Sequence, residues 1–357
     1  MRSKHSYLFL GLAFLLGVGL MFVYRPALQN SLASLSSNSS PSPSITTLVR
    51  SDEPGQMLPF EELTIPYLRA REYSSTLGTL TPHQETSTYT SYLTFFDSDG
   101  FKVNGLLTQP KGSMPEGGWP AIVFLHGYIP PSEYATTDRY EDYVDFLARN
   151  GFVVFKIDLR GHGNSEGEAF GAYYSSGYII DTLNARAALS STNFVHPEKI
   201  GLWGHSMSGN TVLRTMAAQP EITAGVIWAG AVYTYEDMTE YGIQDATYRR
   251  PNETSERSQQ RTSLFDTHGR FSVESDFWGK VAATNYLTDL TGALQIHHAE
   301  NDSVVDIRYS QNLDRLLTDA AVSHELHTYS QGEHNLSGAT FSEAMNKTVD
   351  FFTSELE

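Results

Sequence analysis

From residue 119 onward the chain alternates short apolar runs with amphipathic stretches. The runs at 121–125, 152–157, 200–203, 225–229, 294–298 and 325–329 have strand length, and most carry no polar alternation. Strands apolar on both sides belong in a parallel sheet covered on both faces. Helical spacing marks 138–150, 178–189, 211–218, 307–319 and 341–354. In the first of these Tyr143, Phe146 and Leu147 share one face, with Asp138 as the expected N-cap and Gly151 after the end. Regular alternation of this kind predicts the α/β class, with a mostly parallel, doubly wound sheet. Upstream, the strand-like runs 89–96 and 101–108 flank Asp97-Ser98-Asp99-Gly100, a composition that predicts a β-hairpin. A polar stretch of helical character, 59–75, precedes them.

The alternation lapses once, over 233–291, which is polar and rich in Tyr, Arg and Thr. An insertion of that length in a compact domain is usually a lid or a binding subdomain. Phe265, Phe271, Phe277 and Trp278 give it something to pack, so it reads as a cap.

Residues 1–30 read as a targeting segment. Arg2 and Lys4 precede an uncharged apolar run at 7–24. As a helix it would reach about 27 Å, close to a bilayer core of about 30 Å. Because positive flanks stay inside, the expectation is a signal anchor with the rest of the chain outside the cytoplasm. The alternative is secretion after cleavage at the small-residue site Ser31-Leu32-Ala33. Residues 31–47, rich in Ser with Pro41 and Pro43, read as a flexible stalk. An N-terminal extension with the hairpin then covers 48–110, and the α/β domain with its cap covers 111–357.

Composition narrows the functions. Of 357 residues, 40% are hydrophobic and 12% aromatic, enough for a sizeable core. Lys plus Arg number 24 against 41 Asp plus Glu, a net charge of −17 that repels nucleic acid and anionic membrane surfaces. The absence of cysteine removes disulfides, thiolate chemistry and Cys-based zinc sites. No His-x-x-x-His or clustered carboxylate pattern marks a metal site, and no cofactor is implied.

The candidate chemistry sits at strand ends. Gly204-His205-Ser206-Met207-Ser208-Gly209 lies directly between the run 200–203 and a helical stretch. A serine among small residues at a strand-to-helix turn is what a nucleophile elbow requires: strained backbone, an exposed hydroxyl, and the following amide (here that of Met207) free for an oxyanion. A serine hydroxyl needs a base, and the base an orienting carboxylate, both from loops after later strands. Asp302 in the polar turn 299–305 is the expected acid. Its rivals are Glu300, Asp306 and Asp289; Glu300 comes too early in the turn, and Asp306 looks like a helix N-cap. His334, after the last strand, is the expected base among twelve histidines. His297 and His298 read as packed within a strand, and His324 and His327 as structural. After the first buried strand, His126-Gly127-Tyr128 offers a second oxyanion donor, the amide or the phenol of Tyr128. His126 is expected to hydrogen-bond that loop into shape.

Together with Asp158-Leu159-Arg160-Gly161-His162-Gly163-Asn164-Ser165, an Asp-x-Arg-Gly-x-Gly-x-Ser segment, these pieces resemble the α/β-hydrolase superfamily. Within it the chain is similar to the catalytic domains of prolyl-oligopeptidase-like serine hydrolases, over about residues 92–357. The resemblance implies an α/β-hydrolase fold with a Ser206, Asp302, His334 triad, oxyanion donors at Met207 and Tyr128, and a covalent acyl-serine. It also implies a loop-shaping role for 158–165. Ser208 stands where the family usually has glycine, and 48–110 is too short for the β-propeller of the true oligopeptidases. Small peptide or amide substrates follow from the resemblance; esters are the rival, since one triad cleaves both. A surface-bound binding protein on an inactive hydrolase fold is a third reading, opposed by the three intact residues. Arg249, Arg250, Arg257 and Arg261 in the cap suit either a clamp on a substrate carboxylate or plain surface charge, and surface charge is the simpler reading. Oligomeric state is not legible.

Overall fold

The structure is a computed structural model that describes residues 58–248 and 251–357. The anchor, cleavage site and stalk expected within 1–47 lie outside the described residues, as do Arg249 and Arg250. Among the described residues no helix is long and apolar enough to cross a membrane.

Helix α1 (Ile65–Ala70) precedes three strands, β1 (Thr81–Glu85), β2 (Tyr89–Ser98) and β3 (Phe101–Pro110). The alternation then runs β4 (Trp119–Leu125), α2 (Glu141–Arg149), β5 (Val153–Ile157), α3 (Gly177–Ser190), β6 (Val195–His205), α4 (Met207–Ala218) and β7 (Ala224–Trp228). Three helices follow, α5 (Tyr235–Tyr241), α6 (Glu256–His268) and α7 (Asp276–Val281). The chain closes with β8 (Ala293–Ala299), α8 (Arg308–Asp319), β9 (His324–Tyr329) and α9 (Ala339–Glu355).

One nine-stranded sheet has the order β1-β2-β3-β5-β4-β6-β7-β8-β9. From β5 to β9 every neighbouring pair is parallel, while β1, β2 and β3 run antiparallel. The central strands are buried along their length because both faces are covered. Residues of α3, α4 and α8 form the core on one side, and residues of α2 and α9 the core on the other.

The structure departs from the pattern at three places. Strand β3 pairs with β5 (Gly105 opposite Ile157), so the sheet continues through residue 110. Strand β1 carries no hydrophobic signal, because Thr81–Glu85 is exposed throughout and Pro82 is tolerable only at a sheet edge. Helix α2 begins at Glu141, and its N-cap is Tyr140 in a left-handed conformation (φ 63°) in place of the expected Asp138.

The 233–291 insertion folds onto the body through aromatic rings. Trp278 is wholly buried, Tyr235 stacks on Tyr174 at 5.7 Å and on Phe271 at 5.3 Å, and Phe277 stacks on His268 at 3.6 Å.

Candidate active site

At the carboxyl end of β6 the chain turns into α4 through Ser206, whose φ of 55° and ψ of −117° lie where non-glycine residues are strained. The turn is held by the Ser206 amide, which donates to the Trp228 carbonyl (2.8 Å), and by the Gly209 amide, which donates to the Ser206 carbonyl (2.9 Å). Space dictates the small residues. A Cβ at Gly204 would lie 2.7 Å from Val212 Cγ2, and one at Gly209 would lie 2.8 Å from Gly230 Cα. Serine is accepted at 208 because its buried hydroxyl donates to the His126 carbonyl at 2.5 Å, tying the elbow to the loop after β4.

That loop is His126-Gly127-Tyr128. His126 Nδ1 meets the Gly127 carbonyl at 2.7 Å, and its ring packs against Tyr134 (4.4 Å) and His162 (4.8 Å). Burial drives its pKa well below the ordinary histidine value, so it is neutral and shapes the loop. The Gly127 amide donates to the Tyr140 hydroxyl at 2.8 Å and is thereby engaged. Tyr128, Ser206 and Met207 line a cavity of about 350 Å³ under the cap.

Asp302, at the turn after β8, has a fully buried carboxylate. Its Oδ1 accepts from the amides of Val304 (2.8 Å) and Val305 (3.0 Å), and its Oδ2 accepts from His334 Nδ1 (2.8 Å) and lies 3.2 Å from His298 Nε2. A carboxylate can only accept, so His334 carries its proton on Nδ1. Burial pushes the Asp302 pKa up, but the hydrogen bonds from His298 and His334 outweigh it and hold the group below the usual carboxylate range. The Glu333 amide pins the two loops to each other by donating to Asn301 Oδ1 at 2.9 Å, and Tyr143 of α2 ties the His334 loop to the body by donating to the Asn335 carbonyl at 2.7 Å.

The rivals lie elsewhere. Glu300 is exposed, Asp306 caps the Arg308 amide (2.9 Å), and Asp289 pairs with Arg69 (2.8 Å). His297 faces Tyr329 (2.9 Å) and Gln295 (2.7 Å). His324 meets the Val322 carbonyl, and His327 meets Glu325. The 158–165 segment shapes the neighbouring loop: Arg160 forms a buried ion pair with Asp181 (2.6 Å), and Asp158 accepts from Tyr134 and Thr136.

Two residues at the site escape sequence reasoning. His298, read as strand packing, is buried but also braces Asp302. Its Nδ1 accepts from Ser310 (2.7 Å), which leaves Nε2–H to face Asp302 and the Val305 carbonyl. The available signal was chemical: a histidine in an apolar strand must find a partner. Tyr140 is the second. Its hydroxyl accepts from the Gly127 amide and donates to His205 Nδ1 (2.8 Å), while His205 Nε2–H donates to the His334 carbonyl (3.0 Å). This directed chain joins the β4 loop, the elbow and the His334 loop, and it explains the left-handed backbone of Tyr140 at the start of α2. Burial, then the neighbouring His334, push His205 down to about 3, which keeps it neutral as the chain requires. Tyr140→Phe leaves the Gly127 amide and His205 Nδ1 without their partner. The expected destabilisation is about 1–3 kcal/mol, read from denaturant unfolding at unchanged m-value; wild-type stability in that variant would mean the chain of bonds is not made.

Acetyl xylan esterase 1 from Thermoanaerobacterium sp. superposes with a TM-score of 0.55 at 16% identity, over 82% of this chain and 93% of that one. Porphyromonas gingivalis dipeptidyl peptidase 4 superposes with a TM-score of 0.58 at 19% identity, over 75% of this chain and 36% of that one. The family described as serine aminopeptidase, S33, matches residues 120–264, a stretch containing the β4 loop and the elbow. The fold is the α/β-hydrolase fold. Among curated relatives, this chain is 32% identical to the thiohydrolase aneE of Aspergillus aculeatus over 134 residues, 38% of this chain and 39% of that protein. It thus spans well under half the length of that relative.

Proposed function

We propose that this α/β-hydrolase cleaves acyl bonds through a covalent acyl-Ser206 intermediate. The observation that most supports this is the 2.8 Å bond from His334 Nδ1 to the buried Asp302 carboxylate, in loops tied by hydrogen bonds to the elbow that carries Ser206. With its proton fixed on Nδ1, His334 offers Nε2 as base. It takes the Ser206 proton as Oγ attacks the carbonyl carbon, then returns it to the leaving group as the tetrahedral intermediate collapses. The amides of Met207 and Tyr128 stabilise the oxyanion. Water repeats the sequence to release the acid and restore Ser206. Asp302 holds the imidazole tautomer and offsets its transient charge.

A cavity of about 350 Å³ suits a small substrate, and the peptidase neighbours favour a short peptide or amide. The second reading, an ester, is favoured by the overlap with 93% of an esterase chain. A fluorophosphonate probe on the intact protein decides the chemistry: labelling that vanishes in Ser206→Ala is expected, and paired peptide-amide and short-chain ester panels then rank the substrates. A folded protein that never labels would favour the binding-protein reading.

The apolar run at 7–24 carries the companion proposal that the catalytic domain is membrane-anchored outside the cytoplasm. Retention of the full chain in membranes washed with alkaline carbonate is expected; complete release would favour a secreted form cut near Ala33.

A further inference from the structure

The cavity beside Ser206 has two kinds of wall. Tyr128, Phe170, Tyr173 and Tyr174 supply aromatic surface, whereas α6 of the cap presents Arg257 and Arg261. These arginines stand four residues apart on one helix face, where like charges repel. Among the described residues Arg69, Arg71, Arg149, Arg308 and Arg315 each pair with an aspartate, whereas Arg139, Arg186, Arg214, Arg257, Arg261 and Arg270 pair with no carboxylate, and of these six Arg257 and Arg261 line the cavity. The only acid among the described lining residues, Asp245, is committed to its own turn, accepting from the Thr247 amide (2.7 Å) and hydroxyl (2.6 Å). Arg257 is also seated: it is half-buried, lies 6.0 Å from the Tyr248 ring centroid, and packs so close to Gly171 that a Cβ there would come within 3.0 Å of its Nη2. A protein of net charge −17 has acids to spare for surface pairing. Two guanidiniums thus line the cavity beside Ser206 with no carboxylate among the described residues paired to them.

We propose, building on the hydrolase reading above, that the substrate is an anion: a small acyl compound with an apolar or aromatic middle and a carboxylate remote from the scissile bond, held by Arg257 and Arg261. A guanidinium presents paired donors that match a carboxylate, and the half-burial of Arg257 strengthens its contact, with the exposed Arg261 one helical turn away at the rim. The carboxylate belongs either to the acyl part or to the leaving group, and the test separates these sources.

Two matched pairs of esters serve. The first compares the p-nitrophenyl half-ester of adipate with its methyl-capped neutral form; the second compares 4-butyryloxybenzoate with its methyl ester. The readout is the ratio of kcat/KM, anion over neutral, at low salt, in wild type, Arg257→Lys and the double variant Arg257→Gln/Arg261→Gln, all with matched melting curves. One pair is expected to favour the anion at least tenfold in wild type. The double variant is expected to lose about tenfold of that ratio, the scale of a hydrogen bond to a charged group, and Arg257→Lys to keep part of it. Preference for the neutral ester in both pairs, or equal losses on anion and neutral, overturns the proposal. Fluorophosphonate labelling keeps the two readings apart, since labelling without anion preference rejects the clamp and leaves the hydrolase standing. If no labelling occurs, calorimetric binding of the adipate half-ester to Ser206→Ala decides the clamp: binding abolished by the double substitution supports it, and no binding rejects it.

Discussion

Ser206→Ala is expected to lower kcat by about 10⁶-fold, the cost seen when a serine hydrolase triad loses its nucleophile. The size follows from what remains. Without Oγ no acyl-enzyme forms, and water must attack a carbonyl held only by the oxyanion amides and the cavity. The substitution is gentle on the fold, because the Ser206 contacts that hold the elbow are made by its amide and carbonyl. Alanine also accepts the φ of 55° no worse than serine does. Pre-steady-state kinetics is the decisive measurement: wild type should show a burst of leaving group and the variant none. Turnover within tenfold of wild type would remove Ser206 from the reaction.

Asp302→Asn is the second large effect, an expected drop of about 10⁴-fold in kcat. The carboxylate now accepts from Val304, Val305 and His334, with His298 Nε2 also facing it. An amide has one accepting oxygen and one NH₂ group. If the oxygen keeps the two backbone amides, the NH₂ faces His334 Nδ1 and His298 Nε2, both of which carry hydrogen. His334 escapes by moving its proton to Nε2, and a ring protonated there cannot take the Ser206 proton. The same residue sets an acid dependence. Because its folded pKa lies below the unfolded value, Asp302 contributes stability above about pH 4 that is lost as pH falls toward the folded value. Urea unfolding between pH 5 and 3 should show a shallower decline in Asp302→Asn than in wild type. Parallel declines, or a variant with near-normal kcat, would contradict this account of the carboxylate.

The arginine face of the cap has a different logic from these two. Ser206 and Asp302 stand at loops whose position any doubly wound sheet dictates, so their spacing after strands is informative by itself. Arg257 and Arg261 stand in a segment with no strand periodicity, and in sequence they look like the solvated charges of any polar helix. What separates them from Arg308 and Arg315 is only that those two meet aspartates, whereas these two meet a cavity.

The sequence by itself determined the strand–helix alternation, the hairpin, the elbow and the chain order of serine, acid and histidine. Each is a local pattern: apolar runs of strand length, small residues around a serine, polar turns after strands. It also carried the reason the polar turns matter, since parallel strands bring their carboxyl ends to one edge of the sheet. Tertiary structure decided the rest. The pairing of β3 with β5, the αL start of α2 at Tyr140, the bracing of Asp302 by His298, and the chain from Gly127 through Tyr140 and His205 to the His334 carbonyl all join residues far apart in sequence. Such bonds obey no period. They form because buried donors and acceptors must be satisfied by whatever group the packed fold brings within about 3 Å, and only the packed fold determines which group that is.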